Sequence, residues 1–184
     1  MLRPYANFSN NPVAMERAFT QLVRALVTGI VLLAQAGIAT AISVGDPAPA
    51  FTLPSGNGDP VVLERLRGQV VYVDFWASWC GPCRRSFPWM NAMQRKYGSR
   101  GFTVVAINVD KKRFDAQRFL QQNAAAFALV YDEAGITLAA YGVKGMPSSY
   151  LIDARGNIAF IETGFFDERK DVLEEKIKTS LAGR

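Results

Sequence analysis

Cys80 and Cys83 are the only two cysteines of the chain, and Gly81-Pro82 alone separates them. They follow an apolar run, Val70-Val71-Tyr72-Val73-Asp74-Phe75-Trp76, through a short link, Ala77-Ser78-Trp79. A Val- and aromatic-rich run of this length reads as a strand covered on both faces. The Gly-Pro dipeptide reads as the first turn of a helix. The strand would fix the position of the thiols. The helix start would supply unpaired N–H groups and positive dipole character, both of which favour a thiolate. The chemistry such a pair can do is thiol–disulfide exchange. Cys80, at the helix cap with its sulfur open to partners, is the candidate nucleophile and forms a mixed disulfide. Cys83, one turn further in, then attacks Cys80 and releases the reduced partner. A bridge this short in sequence is a poor structural staple, because closing a small loop removes little entropy from the unfolded chain.

Asp74 is the third chemical residue. A carboxyl inside an apolar strand is costly to ionise, so its pKa should rise. A group titrating near neutrality beside Cys83 can accept the resolving thiol's proton. The chain has no histidine, which removes the commonest general base and metal ligand. With two cysteines and no histidine a structural zinc site lacks its ligands, and neither a metal nor another cofactor is expected.

The elements that must hold these residues can be read in order. Residues 44–53 form an extended, proline-punctuated arm ending in an edge strand at Phe51 and Leu53. Residues 55–59 are a turn, and Val61-Val62-Leu63 a second short strand. After the central strand, a helix is predicted from Gly81 to Tyr97, with Phe87, Met90, Met93 and Tyr97 on its buried face and a bend at Pro88. A strand over residues 102–109 and a helix from Phe114 to Asn123, with Phe114, Phe119 and Leu120 apolar, come next. A strand over residues 127–131 follows, then a helix from Glu133 to Tyr141 capped by Asp132. Residues 148–153 and 158–161 form a hairpin about Gly156. Asp167 is expected to cap a last helix with Val172, Leu173, Ile177 and Leu181 buried and Glu174 paired with Lys178. Strand–helix units followed by a hairpin and a closing helix imply an α/β sandwich around a mixed sheet.

The chain is 184 residues long, 49% hydrophobic and carries a formal net charge of +5. That suffices for one domain with a substantial core. No basic stripe interleaved with aromatics is present, which argues against nucleic-acid binding. The front of the chain is different in character. Residues 25–44 are uncharged, Arg17 and Arg24 precede them, and Ala39-Thr40-Ala41 has the small-x-small form of a cleavage site. Residues 1–41 therefore read as an export signal, with the start at Met1 or Met15, or as an anchor through the apolar residues 25–44. Either places the domain from residue 42 to 184 outside the cytoplasm, as in a bacterial periplasm. An oxidising compartment requires a dedicated donor to keep the thiols reduced.

The Trp79-Cys80-Gly81-Pro82-Cys83 motif, with Val73-Asp74-Phe75-Trp76-Ala77 before it, resembles the active site of the thioredoxin superfamily. The opening Gly45-Asp46-Pro47-Ala48-Pro49-Ala50-Phe51-Thr52-Leu53 and the segment from Phe114 to Tyr141 resemble its TlpA/ResA-like, redoxin-type branch. The resemblance covers nearly the whole chain from Val44. It implies a thioredoxin-like three-layer sandwich, a mixed sheet flanked by helices, with an extra N-terminal strand pair and a helix–strand insert. It implies that Asp74 acts on Cys83 and that Met146-Pro147 is a cis peptide facing the dithiol. Around Cys80 it implies a partner-binding rim of Trp79, Gly81, Pro82, Met146 and Pro147, with Trp76 close by. Its partners would be disulfide-bearing proteins, such as apocytochromes, copper-site proteins, isomerases or mis-oxidised proteins. The electron donor would be a membrane thiol transducer, and a monomer is the superfamily's default. The chain departs from that branch at Ser86, where a glutamate is frequent, and at Asp74, where asparagine is. Its Gly-Pro dipeptide is similar to that of reductases; strongly oxidising relatives tend to have Pro-His.

Two other functions compete. A redoxin-type thiol peroxidase shares the N-terminal pattern, but it needs a lone nucleophilic cysteine in a Thr/Arg setting, which the Cys80/Cys83 pair does not provide. A copper-delivering protein would hold its metal on the cysteine pair, but such relatives add a histidine.

Overall fold

The computed structural model describes residues 42–184 except Asn57, together with the helical positions Glu16, Arg17, Thr20, Gln21 and Arg24. The chain divides into two units, Met1–Thr40 and Ala41–Arg184. In the first, the Thr20 hydroxyl donates to the Glu16 carbonyl one helical turn back, at 2.7 Å. The export segment expected from the sequence lies, up to Ala41, outside the described residues. Among the described residues, no helix is long and apolar enough to cross a membrane.

The second unit is built on β3 (Val70–Trp76), all seven residues of which are buried. β4 (Phe102–Asn108) lies parallel to it, and β5 (Ala128–Tyr131) lies parallel to β4. On its other side β6 (Ser148–Ile152) runs antiparallel to β3, and β7 (Ile158–Thr163) antiparallel to β6. The resulting mixed sheet has the order β5-β4-β3-β6-β7. A separate antiparallel pair joins β1 (Thr52–Leu53) to β2 (Val61–Val62). Next to it, Ser55 bridges Val130 on the outer side of β5, which covers an otherwise open sheet edge.

Alternation along β3 sorts the core into two layers. Val70, Tyr72 and Trp76 join a cluster with Cys80, Cys83, Phe87, Met90, Phe119, Leu173 and Ile177. Val71, Val73 and Phe75 join the other, with Phe51, Leu53, Tyr141, Tyr150 and Ile158. The first layer is covered by α1 (Gly81–Tyr97), α2 (Arg113–Gln122) and α4 (Lys170–Ala182). The second is covered by the N-terminal arm and the short α3 (Ile136–Ala140). Helices on both faces of a mixed sheet make this a thioredoxin-like three-layer sandwich, with the N-terminal strand pair and the α2–β5 insert added.

The departures from the sequence reading are local. α3 is five residues long rather than nine, because Gly135 takes a left-handed conformation (φ 75°) and serves as its cap. Asp132 still caps it, but at longer reach: its carboxylate accepts from the amides of Ile136 (3.0 Å) and Leu138 (2.8 Å). Asp167 does not cap α4. It opens a 3-10 turn, Asp167–Arg169, and pairs with Lys170 at 2.6 Å. Glu174 is engaged by Lys96 (2.6 Å) and the Tyr97 hydroxyl, while Lys178 pairs with Glu175 at 3.1 Å. Val172, expected on a buried face, is 41% exposed, and the apolar Phe114 is 67% exposed. Leu63 leaves the second strand for a 3-10 turn, Leu63–Leu66.

Candidate active site

β3 ends at Trp76 and delivers the chain to the dithiol through Ala77-Ser78-Trp79. This link is pinned. The Asp110 carboxylate accepts from the Ser78 amide (2.9 Å) and the Ser78 hydroxyl (3.0 Å), and the Asn108 side-chain amide donates to the same carboxylate at 2.8 Å. Trp76 anchors the link from below. It is fully buried, with its ring 5.0 Å from Phe87 and 4.9 Å from Phe119. Each such aromatic pair adds about 0.5–1.5 kcal/mol beyond area burial. The position of Cys80 is thus set by the ends of two parallel strands and by an aromatic cluster between α1 and α2. Trp76, expected near the partner-binding rim, is a core residue.

Cys80 caps α1. Its backbone is extended (φ −84°, ψ 104°), its Sγ accepts from the Cys83 amide at 3.2 Å, and Gly81 and Pro82 fill the first helical turn. An amide donating to the Cys80 sulfur, at the positive end of a 17-residue helix, favours the thiolate of Cys80 over its thiol. No acidic side chain sits in that first turn to oppose it. The two sulfurs form the Cys80–Cys83 disulfide. Cys83 is fully buried, whereas Cys80 keeps 5% of its surface, less than the open sulfur expected from the sequence. Ser86, on the next turn, donates its hydroxyl to the Cys83 carbonyl at 2.9 Å.

Asp74 projects from β3 on the face that α1 covers, between Tyr72 and Trp76. It is 1% exposed. Its Oδ1 accepts the Ser149 hydroxyl at 2.7 Å, and its Oδ2 has no hydrogen-bond partner among the described residues. Burial pushes its pKa up to about 7, with the Ser149 hydrogen bond pulling the other way. Tyr72, on the same face, is raised well above its ordinary value by burial first and by Asp74 second. A buried acid that changes charge near neutrality can take and return a proton.

The Met146–Pro147 bond is cis. β6 starts at Ser148, which is in register with Phe75. Continuing that register sets Pro147 against Trp76, at the end of β3 that leads to the dithiol. Pro147 is buried, and Met146 is half-buried against the cluster that holds both cysteines. Trp79 is 71% exposed. It walls a groove of about 270 Å³ together with Ser78, Arg84, Asp115, Arg118 and Phe119. Gly81 is exposed, and a Cβ there would meet nothing within 4 Å.

Sequence reading missed Ser149 and Asp110. Ser149 was one of several strand residues, and Asp110 only the end of a strand. A serine inside an otherwise apolar strand beside a buried acid is a usable signal for the first. A Ser-Trp-Cys link needing backbone partners is a weaker one for the second.

A strand–loop–helix dithiol on a mixed sheet, with a buried carboxyl on the strand that leads to it and a cis-proline at the start of the neighbouring strand, defines a thioredoxin-superfamily site. Comparison with known proteins narrows the class. Residues 43–177 match the redoxin family. The chain is 36% identical over 125 residues to the thiol-disulfide oxidoreductase ResA of Geobacillus thermodenitrificans, covering 68% of this chain and 72% of that protein. It is 34% identical over 127 residues to ResA of Bacillus subtilis, covering 69% and 71%. Among solved structures, a Chlorobium tepidum protein assigned as a thiol:disulfide interchange protein DsbE superposes with a TM-score of 0.75 at 51% identity. That superposition covers 77% of this chain and 99% of the other. The chain belongs to the redoxin family, as a TlpA/ResA-like thiol–disulfide oxidoreductase of the thioredoxin superfamily.

Proposed function

We propose that the chain is an exported reductase of partner-protein disulfides. Cys80, as thiolate, attacks one sulfur of a partner disulfide. An S–S bond forms between Cys80 and the partner, and the partner's other sulfur leaves as thiolate and takes a proton. Cys83 then loses its proton to Asp74 and attacks Cys80 Sγ. The Cys80–Cys83 bond forms, the mixed disulfide breaks, and the second partner sulfur leaves as a thiolate. Two electrons have passed from the dithiol to the partner. A membrane thiol transducer, itself a dithiol, restores Cys80 and Cys83 by the reverse exchange.

The observation that carries this reading is the pairing of a nearly enclosed dithiol at a helix start with a buried, half-partnered carboxylate behind it. The exposed Trp79, the first turn at Gly81-Pro82 and the Met146-Pro147 segment form the surface a partner strand meets, with the Met146 backbone free to pair as an added strand. Export, through a signal in residues 1–41 or an anchor at residues 25–44, rests on the basic–apolar–small pattern of that segment. It places the reaction in a bacterial periplasm, where the reduced state depends on the donor. The working form is a monomer.

The direction of electron flow is tested by titrating the full chain in a glutathione or dithiothreitol redox buffer. A reductase gives a midpoint near the thioredoxin end of the scale, about −270 mV. A midpoint near about −120 mV makes the chain a disulfide donor and overturns the reading. Cys83→Ser supplies the second arm: it should accumulate a mixed disulfide with a disulfide-bearing substrate at Cys80 and turn over no further.

A further inference from the structure

The row of the sheet that contains Asp74 reads, across the strands, Leu129, Ala106, Asp74, Ser149 and Glu162. Leu129 and Ala106 offer no polar side chain. Glu162 is 8% exposed, and both of its oxygens are held by Arg169, at 2.8 and 2.6 Å. Ser149 is therefore the one row neighbour that donates to Asp74. Ser149 is itself only 3% exposed and gives its hydroxyl proton to Asp74 Oδ1 at 2.7 Å.

That single bond has two consequences. A carboxyl whose one oxygen is occupied as an acceptor carries its own proton on the other. Oδ2 is that other oxygen, buried and without a hydrogen-bond partner among the described residues. The donated hydrogen bond also favours the charged carboxylate and so opposes the cost of burial. We propose that Ser149 is a positioning residue of the exchange reaction: by holding Asp74 Oδ1 it makes Oδ2 the oxygen that takes the Cys83 proton and keeps the carboxyl ionised, and so able to take it, at neutral pH. The proposal rests on the reading of Asp74 as the proton acceptor for Cys83.

The other charged and titratable groups on this side of the sheet are accounted for. On β3, Tyr72 lies beside Asp74 and shares Ser149 as a polar neighbour. On α1 the buried groups are Cys80, Cys83 and Tyr97, and the Tyr97 hydroxyl is bonded to Glu174 of α4, while Arg84, Arg85, Arg95 and Lys96 of that helix are exposed; past the end of β4, Asp110 is held by Ser78 and Asn108. Glu174 is also held by Lys96, and Glu162 of β7 by Arg169. Tyr131 closes the β5 end of the same cluster, and the buried residues of α2, Ala116 and Phe119, carry no charge. Ser149 is thus the group whose removal changes the Asp74 carboxyl without unpairing an ion pair.

The test uses the reduced full chain and dithiobis(nitrobenzoate). Cys80 releases a first thionitrobenzoate as the mixed disulfide forms, and Cys83 releases the second as it resolves that disulfide. The rate of the second release is followed against pH. Ser149→Ala should move the midpoint of that profile upward by about one pH unit. Ser149→Gly, which removes the same hydroxyl, should do the same, and Ser149→Thr should restore the original profile. In an Asp74→Asn background, Ser149→Ala should produce no further shift. Profiles of Ser149→Ala and Ser149→Gly that overlay the unsubstituted chain, while Asp74→Asn alters it, would overturn the role of Ser149 and leave that of Asp74 standing. An Asp74→Asn profile equal to that of the unsubstituted chain would overturn both.

Discussion

Two buried aspartates, one on β3 and one just past the end of β4, are treated in opposite ways. Asp110 is 4% exposed and accepts three hydrogen bonds, two from Ser78 and one from Asn108. Asp74 is 1% exposed and accepts one, from Ser149, while its second oxygen has no partner among the described residues. Donors stabilise a carboxylate, and their scarcity leaves burial to push the acid toward its neutral form. Asp110 therefore works as a three-fold acceptor that clamps the Ser78-Trp79 link to the end of β4. Asp74 is held near the balance between charged and neutral. Burial alone does not separate the two roles; the number of donors does.

The comparison breaks most visibly at Asp110. Asp110→Ala leaves the Ser78 amide and the Asn108 side chain unpaired in the interior, and should cost about 3–5 kcal/mol of stability in urea denaturation. Asp74→Asn should act in the other direction. The folded chain holds the Asp74 proton up to about pH 7, whereas an ordinary aspartate releases it near 3.8. The folded state therefore binds more protons between these values, and this contribution to stability is full at acid pH and lost as pH rises through about 7. Asp74→Asn removes that dependence. At about pH 8 it should stabilise the chain by roughly 4 kcal/mol, with the gain vanishing below about pH 4. Equal urea midpoints for the two chains at alkaline pH would contradict this.

A third aspartate lies between these extremes. Asp132, also 4% exposed, accepts from two backbone amides at the start of α3. Asp132→Ala should cost about 1–2 kcal/mol, the usual cost of a lost cap, without moving the pH profile of the exchange. The smallest effect on stability belongs to Trp79, which is 71% exposed. Trp79→Ala should change stability by less than about 0.5 kcal/mol. Its effect should instead appear as a raised KM for protein disulfides, with little change for a small disulfide such as oxidised glutathione.

The fold and the thiols were legible in the sequence because their signals are local. The run from Val70 to Trp76 has one reading as a buried strand, and the Gly81–Tyr97 pattern has one reading as a helix with Cys80 at its cap. What was not legible depends on groups far apart in sequence. Ser149 meets Asp74 across a separation of 75 residues, and Ser78 meets Asp110 across 32. No period or motif carries such a pairing; it appears only when the strand register is known. The same reason explains Glu174, whose expected i,i+4 partner Lys178 lost to Lys96 and Tyr97, 78 and 77 residues away. Competition also set the length of α3, where the left-handed Gly135 overrode a helical pattern that began at Glu133. The raised pKa of Asp74 could be argued beforehand, because an acid amid valine and aromatic residues must lose water wherever the rest of the fold goes.

The most direct test is a carbon-13 NMR titration of the aspartate carboxyls in the full, disulfide-bonded chain, with Asp74 assigned by comparison with Asp74→Asn. The account predicts that the Asp74 carboxyl titrates with a midpoint of about 7. A midpoint in the ordinary carboxylate range near 4 would mean that Asp74 is fully charged at neutral pH, and would contradict its role as the acceptor of the Cys83 proton.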